Sequence, residues 1–188
     1  IRRDIETEGV ALGVYPALVP IREVIARTDG VYNGISVTGD VLGTTVLTGR
    51  GAGQDPTASS VISDLVDAIK VILGEKPPPK LRHTSEGICR LAAPSEVEGA
   101  FYLRLTVEDK PGQLALVADT LADQEVSIAT VLQTGIPARS AASIILTTHA
   151  TNEHSIALAI NALEGLSGVL DKPVLLRMFD PNNHNHSQ

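Results

Sequence analysis

The chain has 188 residues, 43% of them hydrophobic, enough to bury a core and consistent with one or two domains. A formal charge of -7, the absence of a dense Lys/Arg cluster and the lack of tryptophan argue against nucleic acid or an anionic membrane surface as partner. No run approaches the roughly 18 apolar residues of a membrane span, and the single cysteine, Cys89, excludes an intrachain disulfide and a CxxC metal site.

One cysteine in a linker-like stretch fits a reducing cytoplasm, the expected location. The chain begins Ile-Arg-Arg, with neither methionine nor a signal-peptide pattern, as expected of a piece of a longer polypeptide. Residues 10–19 are apolar and β-prone up to Tyr15-Pro16, and Pro20 closes the segment. A short helical turn is expected over 22–29, ended by Gly30. Strand-like runs over 31–38 and 41–48, split by Gly39-Asp40, read as a hairpin. The glycine loop Gly49-Arg50-Gly51-Ala52-Gly53 follows, and Asp55-Pro56 is expected to cap and open a helix. In that helix Ile62, Leu65, Val66, Ile69, Ile72 and Leu73 share one face, Ser63, Asp64, Asp67 and Lys70 lie elsewhere, and Gly74 ends it. A hairpin and one long helix leave much apolar surface without a partner. Docking on upstream residues or, preferably, pairing with a second copy of the chain would cover it.

Residues 75–99 read as linker and entry segment, with Pro77-Pro78-Pro79 locally extended. Beyond it, Phe101, Leu103, Leu105 and Val107 alternate with polar residues in a half-buried strand. Asp109-Lys110-Pro111-Gly112 breaks the run. Leu114, Val117, Ala118 and Leu121 form one helix face, and Val126, Ile128, Thr130 and Leu132 open a second strand. The plan then repeats: a strand over 143–149, a helix over 151–166 with Ile156, Ala159, Ile160 and Leu163 on one face, and a last strand over 174–179. The order βαββαβ predicts an α+β, ferredoxin-like unit, two helices on one face of a four-stranded antiparallel sheet. The expected division is 1–75, linker 76–99, the ferredoxin-like unit 100–180, and a disordered polar tail 181–188.

A strand ending in V-x-D-x-P-G-x-L, then a helix and a V-S-I strand, resembles an ACT domain, the amino-acid-sensing module of many biosynthetic enzymes. The first half is similar to the C-terminal part of the homoserine dehydrogenase catalytic domain. Val14-Tyr15-Pro16-Ala17-Leu18-Val19-Pro20, Val31–Asp40 as VYNGISVTGD, and above all Gly49–Ser59 as GRGAGQDPTAS carry that resemblance. With the ACT-like half behind it, the chain resembles the last part of the monofunctional, ACT-bearing bacterial type. The resemblance implies NAD(P)-dependent interconversion of L-homoserine and L-aspartate 4-semialdehyde, on the route to threonine and methionine. The family's dinucleotide-binding domain with its GxGxxG loop has no counterpart here, and residues 1–9 do not match its lysine-bearing catalytic segment. No catalytic residue is therefore assigned, NAD or NADP is expected only in the full-length enzyme, and the isolated chain is expected to be inactive.

In the family the glycine loop lies at the cofactor and substrate cleft, which makes Gly51 and Gly53 the cofactor-side candidates. Glycines let the backbone approach a ligand, and a helix N-terminus favours an anion. A tight turn needing glycine for geometry alone accounts for them equally. ACT domains commonly hold an amino acid between two copies, which implies an effector site at Asp109, Pro111 and Gly112, against Ser127 and Ile128. An α-carboxylate would take helix N-terminal N–H groups, and an ammonium would face Asp109 or carbonyls. An ordinary strand-to-helix junction would use the same proline and glycine. The implied partners are L-threonine as effector and a homodimer or higher homo-oligomer. No metal is expected: His149 and His154 lack further ligands at suitable spacing, and His184 and His186 lie in the polar tail. Ser59, Ser60 and Ser63 sit in no G-x-S-x-G elbow and read as solvated or capping hydroxyls. A stand-alone ACT sensing or dimerisation module without enzymatic activity is the alternative.

Overall fold

The computed structural model describes residues 1–3, 9–39, 41–75, 77, 90–136 and 140–180. Most of the expected linker, Cys89, the turn residue Asp40 and the tail with His184 and His186 lie outside them. The chain runs through β1 (Arg2–Arg3), β2 (Gly9–Ala11), β3 (Ala17–Leu18), a 3-10 turn (Val24–Arg27), β4 (Tyr32–Gly39), β5 (Gly43–Arg50) and α1 (Gln54–Ile72). It continues through β6 (Arg90–Leu91), a 3-10 turn (Pro94–Glu96), β7 (Glu98–Gly99), β8 (Phe101–Glu108), α2 (Gln113–Ala122), β9 (Ile128–Ile136) and β10 (Ala141–Thr148). It ends with β11 (Thr151–Asn152), α3 (Glu153–Glu164) and β12 (Val174–Met178). Two compact units result, Ile1–Val19 with Cys89–Gln188, and Pro20–Ile88.

The first unit is the α+β, ferredoxin-like fold. Its sheet has the order β3-β12-β8-β10-β9, and β12, β8, β10 and β9 are mutually antiparallel neighbours. Alternation decides which face is covered. Phe101, Leu103, Leu105 and Val107 of β8 and Ala142, Ile144 and Leu146 of β10 turn inward. Against them pack Val117 and Leu121 of α2 and Ile156, Ala159 and Leu163 of α3, with Val126 between α2 and β9. Two buried threonines complete this unit, and Thr148 Oγ1 accepts the Phe101 N–H at 3.0 Å.

Each helix has a local reason to begin where it does. At α2, Gly112 takes φ 92, a left-handed conformation that glycine adopts without cost. At α3, the Asn152 side chain accepts the Ser155 N–H at 2.7 Å, an N-cap. Thr151 and Asn152, expected as the start of that helix, instead form β11 and pair with β7, because the cap must have extended backbone.

The first 19 residues cluster with this unit, so the segment expected as 1–75 is shared between the two units. β3 adds a parallel fifth strand outside β12, with Ala17 opposite Arg177 and Leu18 opposite Met178. β2 pairs with β1 on one side and with β6 on the other.

In the second unit, β4 and β5 form an antiparallel ladder from Tyr32↔Arg50 to Gly39↔Gly43, the expected hairpin. The turn expected over 22–29 is the 3-10 turn Val24–Arg27, closed by Thr28 N–H donating to Ile25 O at 3.1 Å. Asp55 does not cap α1: the N-cap is Gly53, with φ 116 and ψ 154, and Asp55 lies within the first turn. Pro56 is in that turn too, where its missing N–H costs nothing. No residue of α1 is buried.

Candidate functional site

The glycine loop and the start of α1 form the first candidate region. Gly51 N–H donates to Val31 O at 3.2 Å, which ties the loop back to the base of the hairpin. The space a Gly51 Cβ would need is occupied by the Asn33 side chain, so glycine is required there by close approach. Gly53 is glycine because its φ of 116 is closed to other residues. Gly49 is an ordinary strand residue of β5 opposite Asn33, with room for a side chain. The Arg50 guanidinium lies 5.8 Å from the centroid of the Tyr32 ring, a cation–π contact on the same loop. Beyond Gly53 an open shelf runs along α1, lined by Gln54, Thr57, Ala58, Val61 and Ile62.

No side chain caps α1, so its first N–H groups remain available to an anion. That is one end of a phosphate site. The shelf beside it is mainly apolar and open, and the gap at Gly51 is filled by Asn33. These residues do not by themselves fit a dinucleotide.

The second region is the strand-to-helix turn of the ferredoxin-like unit. Asp109, Pro111 and Gly112 are all exposed. Asp109 N–H donates to Ser140 O at 3.2 Å, and Ser140 itself has φ 47, uncommon outside glycine. Lys110 Nζ lies 2.8 Å from Glu108 Oε2, and the Gln113 side chain lies against the backbone of Gly168. Gly112 offers no side-chain acceptor to α2; the Gln113 N–H donates to Lys110 O at 3.4 Å, and the N–H groups of Leu114 and Ala115 face the helix start, where a carboxylate is favoured.

Ser127 and Ile128 are elsewhere. Glu108 is opposite Ala141, which is opposite Ile136, whereas Ile128 is opposite Thr148 at the other end of the sheet. Seven residue steps along β10, from Ala141 to Thr148, separate the two ends, roughly 23 Å at strand rise. Within one chain the Asp109–Gly112 turn and the start of β9 are not brought together. The reason is topological: α2 returns the chain to the end where β8 began, so the end of β8 and the start of β9 must lie apart. A ligand touching both needs two copies. β9 is suited to meet one, being an edge strand exposed over all but its end residues, with Val131 and Leu132 uncovered on opposite faces of the sheet.

Among the described residues no three His, Cys, Asp or Glu side chains gather as a metal site, and no helix is long and apolar enough to cross a membrane. His149 and His154 are exposed, and the His149 N–H donates to Ser127 O at 2.9 Å. Ser60 Oγ donates to Pro56 O at 3.0 Å, the back-bond that a helical serine commonly makes to the carbonyl four residues earlier.

Residues 3–66 match the family model for homoserine dehydrogenase, and residues 101–168 match the ACT domain model. The chain carries a homoserine dehydrogenase segment followed by an ACT domain. Single relatives span both parts. Homoserine dehydrogenase of Pseudomonas aeruginosa is 38% identical over 180 residues, 93% of this chain and 41% of that protein. The Helicobacter pylori homoserine dehydrogenase is 37% identical over 173 residues, 90% of this chain and 39% of that protein. A crystal structure of a homoserine dehydrogenase from Thiobacillus denitrificans aligns at TM-score 0.76 and 35% identity, over 93% of this chain and 40% of that one. This chain thus spans about two fifths of the length of the relatives it matches. The glycine loop falls within the homoserine dehydrogenase segment, and the Asp109–Gly112 turn and the start of β9 fall within the ACT domain.

Proposed function

We propose that this chain is the C-terminal portion of an NAD(P)-dependent homoserine dehydrogenase, which interconverts L-homoserine and L-aspartate 4-semialdehyde in threonine and methionine biosynthesis. The observation that carries the reading is the pairing of the two segments in one order within relatives that cover nine tenths of the chain. The redox chemistry is supplied by the nicotinamide cofactor when it is bound. The part proposed for this chain is to contribute the Gly51–Gly53 loop to the cleft, to dimerise, and to sense an amino acid.

The proposed effector is L-threonine, held between two ACT domains. Its α-carboxylate would take N–H groups at the start of α2, and its ammonium would face Asp109 of the same turn. Ser127 and Ile128 would come from the second copy, a reading supported by their separation from Asp109 along the sheet. Effector binding can shift the enzyme between states only by its difference in affinity for them, typically about 1–3 kcal/mol.

Calorimetric titration of the chain with L-threonine tests this, with homoserine, methionine, isoleucine and serine as controls. Saturable, threonine-selective heat is expected, with a melting shift worth roughly 2.7 kcal/mol at a hundred times Kd. Substitution of Gly112 by Val, which is strained at φ 92, is expected to weaken the heat at least tenfold. A threonine response that survives this change unaltered, or no response at all, rejects the assigned site.

A further inference from the structure

Residues 10–19 are within the homoserine dehydrogenase segment by sequence, yet they are built into the ACT unit. The fastening is specific. β3 lies parallel to β12, and Phe179 N–H donates to Leu18 O at 2.8 Å. Just before β3, the Tyr15 ring lies over the Arg177 guanidinium at 4.7 Å, and the Phe101 ring lies 5.1 Å from the same group. Arg177 is also ion-paired with Glu153 at the start of α3, and its side chain is only 11% exposed.

A guanidinium so buried must be paired and stacked, and the surroundings make room for it. A Cβ on Gly99 would come within 2.8 Å of the Arg177 Nη1, and a Cβ on Gly13 within 2.7 Å of the Tyr15 ring. Arg177 thus joins four elements: the approach to β3, the first and last strands of the ACT sheet, and the N-terminus of α3. Pro20 and the second unit follow directly after Val19.

We infer that Arg177 is a positioning residue that fastens β3 to the ACT sheet, and that this strand is the route by which the ACT domain acts on the dehydrogenase portion. The second clause rests on the threonine reading above; the first does not. A shift of β12 on effector binding moves β3 with it, because the two share hydrogen bonds and a stacked cation. Since β3 leads without a break into residue 20, a displacement of β3 is felt where the second unit begins.

Amide hydrogen exchange of the full chain tests both clauses, on wild type, Tyr15→Ala and Arg177→Lys. Tyr15 is half exposed, so its truncation leaves the ACT core intact even if the Arg177 variant unfolds. Tyr15→Ala is expected to speed exchange of the Phe179 amide and of residues 15–19 at least tenfold, with Leu103 and Ile144 amides unchanged. Arg177→Lys, which keeps charge and loses the planar stack, is expected to do the same to a smaller degree. An unchanged Phe179 amide in Tyr15→Ala overturns the fastening. Addition of L-threonine to wild type is expected to slow exchange at residues 15–19 as well as at 109–113, and in Tyr15→Ala at 109–113 only. Slowing confined to 109–113 in wild type leaves the effector site standing and overturns the route. No change at any amide rejects the threonine reading and the route together.

Discussion

The ACT unit and the 20–88 unit contain elements of equal regularity and opposite fates. In the first, β8 alternates and its four inward residues are essentially sealed, as are Val117 and Leu121 of α2. In the second, β4 alternates as well and α1 carries a longer apolar stripe, yet Ile35, Val37, Leu65 and Ile69 all remain more than half exposed. The second unit also holds a buried hydroxyl, Thr28 Oγ1, without a partner among the described residues. Patterning determines which face of an element is apolar, and a core forms only where a second apolar face meets it within reach. In the ACT unit the sheet and both helices supply those faces to one another. The 20–88 unit leaves the same kind of surface exposed, and the proposed dimer is one way to cover it.

That contrast breaks most readily at matched leucines. Leu103→Ala removes a fully buried side chain and is expected to cost about 2–5 kcal/mol by urea denaturation, at any protein concentration. Leu65→Ala, at a position 58% exposed, is expected to cost less than about 0.5 kcal/mol in dilute solution. With a second copy over α1, the same change raises the dimer dissociation constant about tenfold, or about 1.4 kcal/mol, by sedimentation equilibrium. A Leu65→Ala penalty as large as that of Leu103→Ala and independent of concentration would show α1 packed within its own chain and erase the distinction.

Smaller changes sharpen the account of the ACT unit. Asn152→Ala deletes the cap of α3 and is expected to lower stability by about 1 kcal/mol, measured by the shift in urea midpoint. A null effect would mean that the β7–β11 pairing holds the helix start without the cap. Glu125→Gly is expected to act in the opposite direction. Glu125 closes the turn after α2 at φ 58, where Leu121 O accepts the Val126 N–H. Relieving the left-handed strain there is expected to raise stability by less than about 1 kcal/mol, a rise in melting temperature of a few degrees. A fall in melting temperature would assign Glu125 a stabilising contact greater than its strain.

Local pattern made most of this architecture readable in advance. The two-residue period located β8, strand-like runs split by Gly39-Asp40 located β4 and β5, and the helical stripe located α1 and α2, because each rests on neighbours in sequence. Asp55 misled, since its type and its proline neighbour fit a cap, while the backbone actually turns at Gly53, a residue whose value lies in φ rather than in a side chain. The pairing of Ala17-Leu18 with Arg177-Met178 had no local signal at all. The remoteness of Ser127 from Asp109 was available in principle, because a strand–helix–strand passage forces the two to opposite ends of a sheet. Asn33 against Gly51, and Tyr15 against Arg177, needed coordinates: nothing in the type of either partner names the other.

The pairing of β3 with β12 also sets an order of events during synthesis. Ala17 and Arg177 are 160 residues apart (177 minus 17). Closing so long a loop is entropically expensive and gains only a two-residue ladder and one stacked cation in return. The four antiparallel strands and two helices of 101–178 require no such closure and can form among themselves. Residues 10–19 therefore leave the ribosome early with their partner still unmade, and they dock late, onto a sheet that is already assembled. Premature termination anywhere before residue 174 would leave that apolar segment with no strand to join, a condition that quality-control proteases can recognise.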